Sequence, residues 1–593
     1  MKNRITYNYG GVRLKLADSM TKVFYNEEPA AMTEGQELQA FRGECVSFQV
    51  VYTFEGCFVN ERYTMPFKFV RIRAESPLQE YVHVRSVCNV PCQYPVHEDM
   101  NDDNYLRKEP GLYPDRLSEL EEEMTVFQRH QWKSLWVDLE IPEDAEPGIY
   151  PVKIVFEDIE HNTEFCSIET EIEIFSAVLP KQTLIRTEWF HVDCLADYYH
   201  TPVFSEENWR IIENFIAAAA KRGINMMLTP QFTPPLDTAV GRERTTVQLV
   251  DVEKTADGYT FDFTKLIRWI EICRKHGIRY IEMSHLFSQW GAVAAPKIVG
   301  KVDGELKELF GWNTPATGGA YTEFLHAYLP QLRRVLQELG VEQDTYFHMS
   351  DEPQLRQIDS YRAAYESVAK ELEGCNFLEA LSDYEFYRTG LVSHPVCATN
   401  HIQPYLDHDT PGLWAYYCTA QSVDVSNRFI AMPLGRTRIY GVQLFKFGIE
   451  GMLHWGYNFY NGVDSMCRIN PYQVTDCCGA YPAGDPFLVY PREDGMPEES
   501  IRMMVLDEAM NDVRALNYLS ELIGRDKVLE MVDEGLKTPL TFDQYPAWPK
   551  DREYLARLRR RVNDAICSVL DESKTPQQAA VHPACSAEEL RCN

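Results

Sequence analysis

Through the first 180 residues, apolar and polar positions alternate with a period of two. ECVSFQVVY at Glu44 to Tyr52, FKFVRIR at Phe67 to Arg73 and YVHVRSV at Tyr81 to Val87 each place every second side chain on one face, as half-buried strands do. Ser134 to Ile141 and Tyr150 to Phe156 flank Glu146-Pro147-Gly148, a turn signal, and Ser167 to Phe175 reads as a further strand. The pattern predicts a β-sandwich of about eight strands over residues 1–180, with Leu179-Pro180 as the exit.

From Leu184 onward, strand-like and helix-like segments take turns, the rhythm of parallel α/β architecture. Candidate strands are Ile185 to Val192, Asn225 to Leu228, Arg279 to Met283, Tyr346 to Met349, Phe377 to Leu381, Pro395 to Ala398, Leu413 to Tyr417 and Met452 to Trp455. Between them, a helix capped by Ser205 stops at Gly223, and others are expected over Tyr321 to Leu339 and Gln354 to Leu372. Asn208 stands where a capping box would carry an acid or glutamine. Eight strands suffice to close a (β/α)8 barrel over residues 181–490, with a doubly wound open sheet as the rival. Residues 491–593 read as helical, near Glu498 to Leu522, Lys527 to Leu536 and Arg552 to Leu570, and end in a polar tail expected to be disordered. The expected fold class is therefore multidomain β plus α/β: an N-terminal β-sandwich, a central TIM-like barrel and a helical C-terminal region.

Charge narrows the partners. With 89 acidic against 58 basic residues and a formal charge of -31, the chain repels phosphate backbones and anionic lipid, so neither nucleic acid nor membrane is expected. MKNRITYNYGGVRLKLADSM lacks the apolar core of a signal peptide, which sets a cytoplasmic expectation. Sixteen scattered Cys fit reduced thiols. Cys88 with Cys92, or Cys477 with Cys478, would need a second ligand pair to hold zinc, and there is none at that spacing. The chain also lacks H-E-x-x-H, G-x-S-x-G, Walker A and G-x-G-x-x-G motifs, so no metal or cofactor is expected.

The chemistry concentrates at Tyr346-Phe347-His348-Met349-Ser350-Asp351-Glu352-Pro353, where an apolar strand runs into two adjacent carboxyls. Asp507-Glu508, Asp533-Glu534 and Asp571-Glu572 repeat the dipeptide without a strand in front. Pro353 disfavours helical backbone at Glu352, so an extended Glu352 is expected. Neighbouring carboxyls cannot both ionise freely, which raises one pKa. At the other strand ends stand His285, Trp290, Asp383, Tyr416, Trp455 and Asn458, the candidate substrate-binding residues. A mouth of acids, amides and aromatic rings suits a carbohydrate. Each candidate has a plainer reading: His285 as a core histidine, Tyr416 and Trp455 as barrel wall, Asp383 as a helix cap, Asp351 and Glu352 as a solvated loop.

FHMSDEP at Phe347 to Pro353, LWAYYC at Leu413 to Cys418, GIEGMLHWGYNFY at Gly448 to Tyr460, GDPFLVYP at Gly484 to Pro491 and SIRMMVLDEAMNDVRAL at Ser500 to Leu516 resemble the family-123 glycoside hydrolases and their wider clan. LWVDLEIPEDAEPGIYPVKI at Leu135 to Ile154 resembles their β-sandwich. The resemblance implies a retaining exo-β-N-acetylgalactosaminidase acting by substrate-assisted catalysis, in which the sugar's 2-acetamido oxygen attacks the anomeric carbon. Asp351 would orient the acetamido group and Glu352 would move the protons, with Tyr416 on the acetamido oxygen and Trp455 around its methyl. The expected partner is a carbohydrate bearing a 2-acetamido sugar, and the sandwich and C-terminal helices offer surfaces for a homodimer. A β-N-acetylglucosaminidase, a glycosidase of other sugar preference and a non-catalytic glycan-binding protein are the alternatives.

Overall fold

The computed structural model describes residues 5–7, 11–32, 37–56, 58–59, 64–534 and 544–574. The polar tail expected at the C-terminus lies outside them, apart from the end of the last helix.

The N-terminal alternation folds into two sheets. One runs Ile5–Tyr7, Thr163–Val178, Gly148–Asp158, Phe67–Glu75, Met124–Gln128, with Leu38–Arg42 beside Thr163–Val178. The other runs Val12–Asp18, Glu44–Phe54, Lys133–Ile141, Val82–Cys92, Gly111–Glu119. This is more than the eight strands expected, because short edge strands such as Leu38–Arg42 carry too few alternating positions to stand out. Leu38–Arg42 also pairs parallel to its neighbour. Phe48, Val50, Tyr52, Val70, Phe127, Val137 and Phe156 fill the space between the sheets, the alternate residues that the period of two selects.

The second part is a nearly closed parallel barrel. Nine strand segments lie in the order Asn376–Phe377, Thr345–Phe347, Tyr280–Met283, Met226–Thr229, Ile185–Glu188, Gly451–His454, Trp414–Tyr416, Pro395–Ala398, Glu379–Leu381. Every pairing between them is parallel. The two end segments are separated in the chain by Leu378 alone, whose amide donates to the Phe347 carbonyl at 3.1 Å. The first strand is shorter than expected: it stops at Glu188, and a helix Val192–Tyr199 follows. The apolar run that suggested strand to Val192 belongs partly to that helix. Helix Glu206–Lys221 starts as expected, with Ser205 Oγ accepting from the Asn208 amide at 3.2 Å. Asn208 takes up the missing half of the capping box one residue earlier, its Oδ1 accepting from the Phe204 amide at 2.9 Å. After the second and third strands the chain builds a separate sheet, Gly258–Asp262, Asp251–Thr255, Ile298–Val302, Glu305–Phe310.

The helices Ile501–Ile523, Arg525–Asp533 and Arg552–Lys574 close the molecule. Among the described residues no helix is long and apolar enough to cross a membrane. Ile501–Ile523 lies so close to the barrel helix Leu434–Lys446 that a Cβ on Gly441 would stand 2.2 Å from the Ala509 carbonyl oxygen. Phe41, Leu117 and Trp136 of the sandwich, Leu434 and Ile439 of the barrel, and Val505, Leu516 and Leu555 of the C-terminal helices form one apolar joint.

A buried ion pair crosses the same joint. Arg502 forks onto Asp115 of strand Gly111–Glu119, at 2.7 and 2.9 Å, and also donates to the Gly484 and Phe487 carbonyls at 2.6 and 3.0 Å. The Tyr490 hydroxyl donates to Asp115 as well, at 2.5 Å. Neither Arg502 nor Asp115 reaches solvent. Removing one partner leaves the other charge buried, so Arg502→Met should cost about 3–5 kcal/mol. Arg502→Lys should recover little, because an ammonium cannot reproduce the fork. Denaturant unfolding of both variants checks this, and a loss under about 1 kcal/mol would show that the pair does not hold the joint.

Candidate active site

Residues just past the C-terminal ends of the barrel strands meet around one pocket. Trp189 follows the first strand, Asp237 the second, Gln289 and Trp290 the third, Asp351 and Glu352 the fourth; Tyr416, Trp455 and Tyr481 complete the wall. Three of these residues, Asp237, Trp290 and Glu352, have left-handed backbone with φ of 39°, 58° and 42°. Such backbone costs of order 1–3 kcal/mol per non-glycine residue and persists only where its surroundings impose it. Here the loops hold one another. The Trp290 amide donates to the Asp351 carbonyl at 2.8 Å, Ser350 Oγ donates to the Ser288 carbonyl at 2.8 Å, and the Gly291 and Ala292 amides donate to Ser350 Oγ at 3.2 Å.

The conformation of Glu352 corrects the expectation of an extended residue before Pro353. In extended chain, adjacent side chains face opposite ways. The left-handed turn at Glu352 brings both carboxyls to the pocket, where each is half-buried. The Tyr416 hydroxyl donates to Glu352 Oε1 at 2.5 Å. Burial raises the pKa of both groups. Asp351 is pushed well up, further by the charges of Glu352 and Glu379, while His348 pulls it back. For Glu352 the Tyr416 hydrogen bond opposes the burial. The two titrate as a pair. In the substrate-free site, the Tyr416 hydrogen bond favours the charge on Glu352 and hence the proton on Asp351.

Behind the pocket wall lies a buried polar cluster, in which both nitrogens of His285, Nδ1 of His348 and Oε1 of Glu379 make no hydrogen bond at ordinary geometry among the described residues. Trp189 Nε1 donates to Glu282 Oε1 at 2.8 Å, and that oxygen also meets His348 Nε2 at 2.7 Å. Thr187 Oγ1 donates to Glu282 Oε2. His348 Nδ1 faces Glu379 Oε1 at 3.9 Å, and Glu379 Oε2 accepts from the Tyr361 hydroxyl at 2.8 Å and the Ser350 amide at 3.1 Å. Burial works against charge on His348, but the hydrogen bonds and charges of Glu282 and Glu379 win, and its pKa rises to about 9. His285 stacks on it, ring centroids 4.3 Å apart, and is kept neutral by burial and by the charge of His348.

His285, His348 and Glu379 offer three donor atoms within 4.8 Å of one another. The set fits an imidazolium better than a metal. Two rings stacked 26° from parallel do not aim their nitrogens at one point, and the proton on His348 already supplies the positive charge that two buried carboxylates require.

Of the residues singled out from the sequence, Asp351, Glu352, Trp290, Tyr416 and Trp455 line the pocket. His285, Asp383 and Asn458 do not. His285 is fully buried in the cluster behind Trp189. Asn458 is a seam: its Oδ1 accepts from the His191 amide at 2.8 Å and its Nδ2 donates to the His191 carbonyl at 3.1 Å, joining the loops after the first and last strands. Asp383 stands just before Tyr384, the cap residue of the short helix Glu385–Arg388, its carbonyl accepting from the Phe386 amide at 3.4 Å. Trp189, Asp237 and Tyr481 were not anticipated. Only Asp237 carried a signal, as an acid after Pro234-Pro235 close behind a strand; Tyr481 comes from a long irregular loop after the last strand.

A parallel barrel that gathers adjacent carboxyls and several aromatic rings at its C-terminal mouth places them where barrel enzymes do their chemistry. The family model for the catalytic domain of glycoside hydrolase 123 matches residues 189–519, more than half of the chain. The chain belongs to glycoside hydrolase family 123, and is a glycoside hydrolase. The match ends at residue 519, within helix Ile501–Ile523. Among solved structures, a family 123 glycoside hydrolase from Clostridium perfringens, studied for glycolipid glycan hydrolysis, superposes with a TM-score of 0.72 at 15% identity. The superposition covers 95% of this chain and 99% of that one, a likeness of fold. A β-glucuronidase from Parabacteroides merdae reaches a TM-score of only 0.29 at 9% identity, over 85% of this chain and 54% of its own, and carries no argument. No curated protein matches the chain.

The charge on His348 predicts a pH-dependent stability. Its pKa rises on folding from 6.5 to about 9, so its contribution is fully present below the unfolded value and is lost as pH rises through the folded one. The stability difference between wild type and His348→Gln should therefore shrink by about 3 kcal/mol between roughly pH 6 and pH 10. Chemical denaturation at both pH values measures it. A difference independent of pH would mean that the folded imidazole is neutral.

Proposed function

We propose that this protein is a retaining exo-β-N-acetylgalactosaminidase that removes terminal β-linked GalNAc from glycans or glycolipids with the help of the substrate's own acetamido group. The observation that carries the reading is the turn at Glu352, which puts two carboxyls from consecutive residues on one pocket. Counting the interrupted stretch through Leu378 as one strand makes the barrel a (β/α)8 barrel, whose strand ends are where such chemistry resides. The glycolipid part rests on the Clostridium perfringens relative alone.

In this reading the acetamido oxygen attacks C1 as the bond from C1 to the leaving oxygen breaks, giving an oxazolinium ion. Glu352 gives its proton to the leaving oxygen. Asp351 accepts a hydrogen bond from the acetamido N–H and faces the positive charge that grows there. Water then attacks C1, Glu352 takes its proton, and the ring opens to GalNAc with its configuration retained. Trp290, with 41% of its surface exposed, stands at the mouth as a platform for a sugar face.

The substrate-free hydrogen bonds favour the opposite protonation, and substrate binding reverses it. Once Tyr416 turns from Glu352 to the acetamido oxygen, Glu352 loses the donor that favoured its charge and takes up a proton. The acetamido N–H and the nearby imidazolium of His348 then favour charge on Asp351.

Aryl β-GalNAc, β-GlcNAc and β-galactoside substrates test the reading. Turnover is expected for the first, and efficient hydrolysis of the plain galactoside would overturn it. Glu352→Gln should lose about 10² to 10⁴ in rate on poor leaving groups and spare the first step on activated aryl glycosides. Asp351→Asn should impair both, and an unimpaired Asp351→Asn enzyme would remove its assigned role.

A further inference from the structure

The mechanism above leaves the third carboxyl of the pocket without a task. Asp237 follows the second barrel strand in left-handed backbone, and Ser465 Oγ donates to its carbonyl at 2.7 Å. The Tyr481 hydroxyl donates to its Oδ1 at 2.7 Å. Its Oδ2 is shielded from solvent and makes no hydrogen bond at ordinary geometry among the described residues, with the Asp464 backbone beside the carboxyl. A buried acceptor left unpaired costs about 1–3 kcal/mol; the carboxyl that carries it lines the pocket, so a turn of that carboxyl toward a donor on the ligand relieves the cost.

Sugar hydroxyls are such donors. In the reading above, Asp351 and Glu352 work at C1 and at the 2-acetamido group. A carboxyl reaching the pocket from a different strand end meets another part of the ring, where the hydroxyls on C3, C4 and C6 remain. Trp189, Trp455 and Tyr481 line the same pocket and present rings to the sugar's carbon faces, leaving few polar groups to read its hydroxyls. Gln289 is partly committed, since its Nε2 donates to the Thr238 carbonyl at 3.0 Å.

Resting on the proposed exo-glycosidase reading, we infer that Asp237 is a specificity-determining residue: its carboxyl accepts a hydrogen bond from a hydroxyl on C3, C4 or C6 of the bound sugar, and Tyr481 aims it. A site built to bond a hydroxyl rejects the analogue that lacks it far more strongly than an apolar pocket rejects an extra methylene. If the contacted group is on C4, Asp237 separates the galacto from the gluco configuration.

A double-mutant cycle between protein and substrate tests this. The 3-deoxy, 4-deoxy and 6-deoxy forms of the aryl glycoside that wild type turns over are compared for wild type, Asp237→Ala and Tyr481→Phe. One deoxy position should lower wild-type kcat/KM by on the order of 10²-fold or more, and Asp237→Ala should lower it similarly on the parent sugar. On that same deoxy substrate the Asp237→Ala loss should vanish, since the bond is already gone, while on the other two it persists. Tyr481→Phe, which keeps the carboxyl but frees it, should lose on the order of 10-fold with the same positional dependence; it also decides the matter if Asp237→Ala does not fold. Losses that simply multiply at all three positions would overturn the inference. The requirement for a 2-acetamido group is judged separately, by the wild-type substrate panel. If that requirement fails, the cycle runs on the deoxy series of the sugar that is accepted and still decides Asp237.

Discussion

Side chains on consecutive residues of an extended chain point to opposite faces, and the candidate site depends on breaking that rule at one residue. Strand Thr345–Phe347 delivers the chain to the mouth of the barrel in regular geometry. Were Glu352 extended, Asp351 would face the pocket and Glu352 would face away. Left-handed backbone at Glu352 turns it back, and three contacts oppose the strain: Tyr416 holds the carboxyl, the Trp290 amide binds the Asp351 carbonyl, and the Ser350 side chain ties the two loops together. Proline after Glu352 fits this arrangement, because it disfavours the right-handed helical backbone that would start a helix there.

The same crowding sets the electrostatics. Asp237, Asp351 and Glu352 line one pocket, with Glu282 and Glu379 one hydrogen bond behind its wall. Five carboxyls so close would repel one another beyond what burial permits. His348 is the compensating charge: an imidazolium between Glu282 and Glu379 whose own existence depends on both. Glu379 also holds the Ser350 amide, so charge balance and backbone position are set by one side chain. A shift in the cluster would move the backbone that presents Asp351.

The barrel strands were legible because each is a short apolar run bounded by polar segments, and that signal survives where a strand is buried on both faces. The acid pair was legible for a related reason: carboxyls at a strand end stand out against such a run. Hydropathy could not tell whether a polar residue past a strand turns toward the pocket or into the wall behind it. His285 and Asn458 meet every sequence criterion for a site residue, yet the first stacks on a buried imidazolium and the second staples two loops. Trp189 lay within a strand drawn too long. Tyr481 reaches the pocket from a loop with no periodicity. Asp237 depends on left-handed backbone that no pattern of types announces.

Two tyrosine hydroxyls share a logic that links these observations. Tyr416 holds Glu352 and Tyr481 holds Asp237, each by one oxygen of a carboxyl, the first from another strand end and the second from the loop after the last strand. A carboxyl fixed by one oxygen keeps its direction, so little reorganisation remains when a ligand arrives. The two pairs differ in what arrival does. In the role inferred for Asp237, Tyr481 can stay where it is, since the carboxyl needs only a donor. In the proposed mechanism Tyr416 must leave Glu352 before that carboxyl can carry the proton for the departing oxygen. A site with the proton already on Glu352 would be competent with any ligand in place. In that mechanism, coupling the proton to the movement of Tyr416 makes competence depend on the group that draws the hydroxyl away, which for the proposed 2-acetamido substrate would be the nucleophile itself.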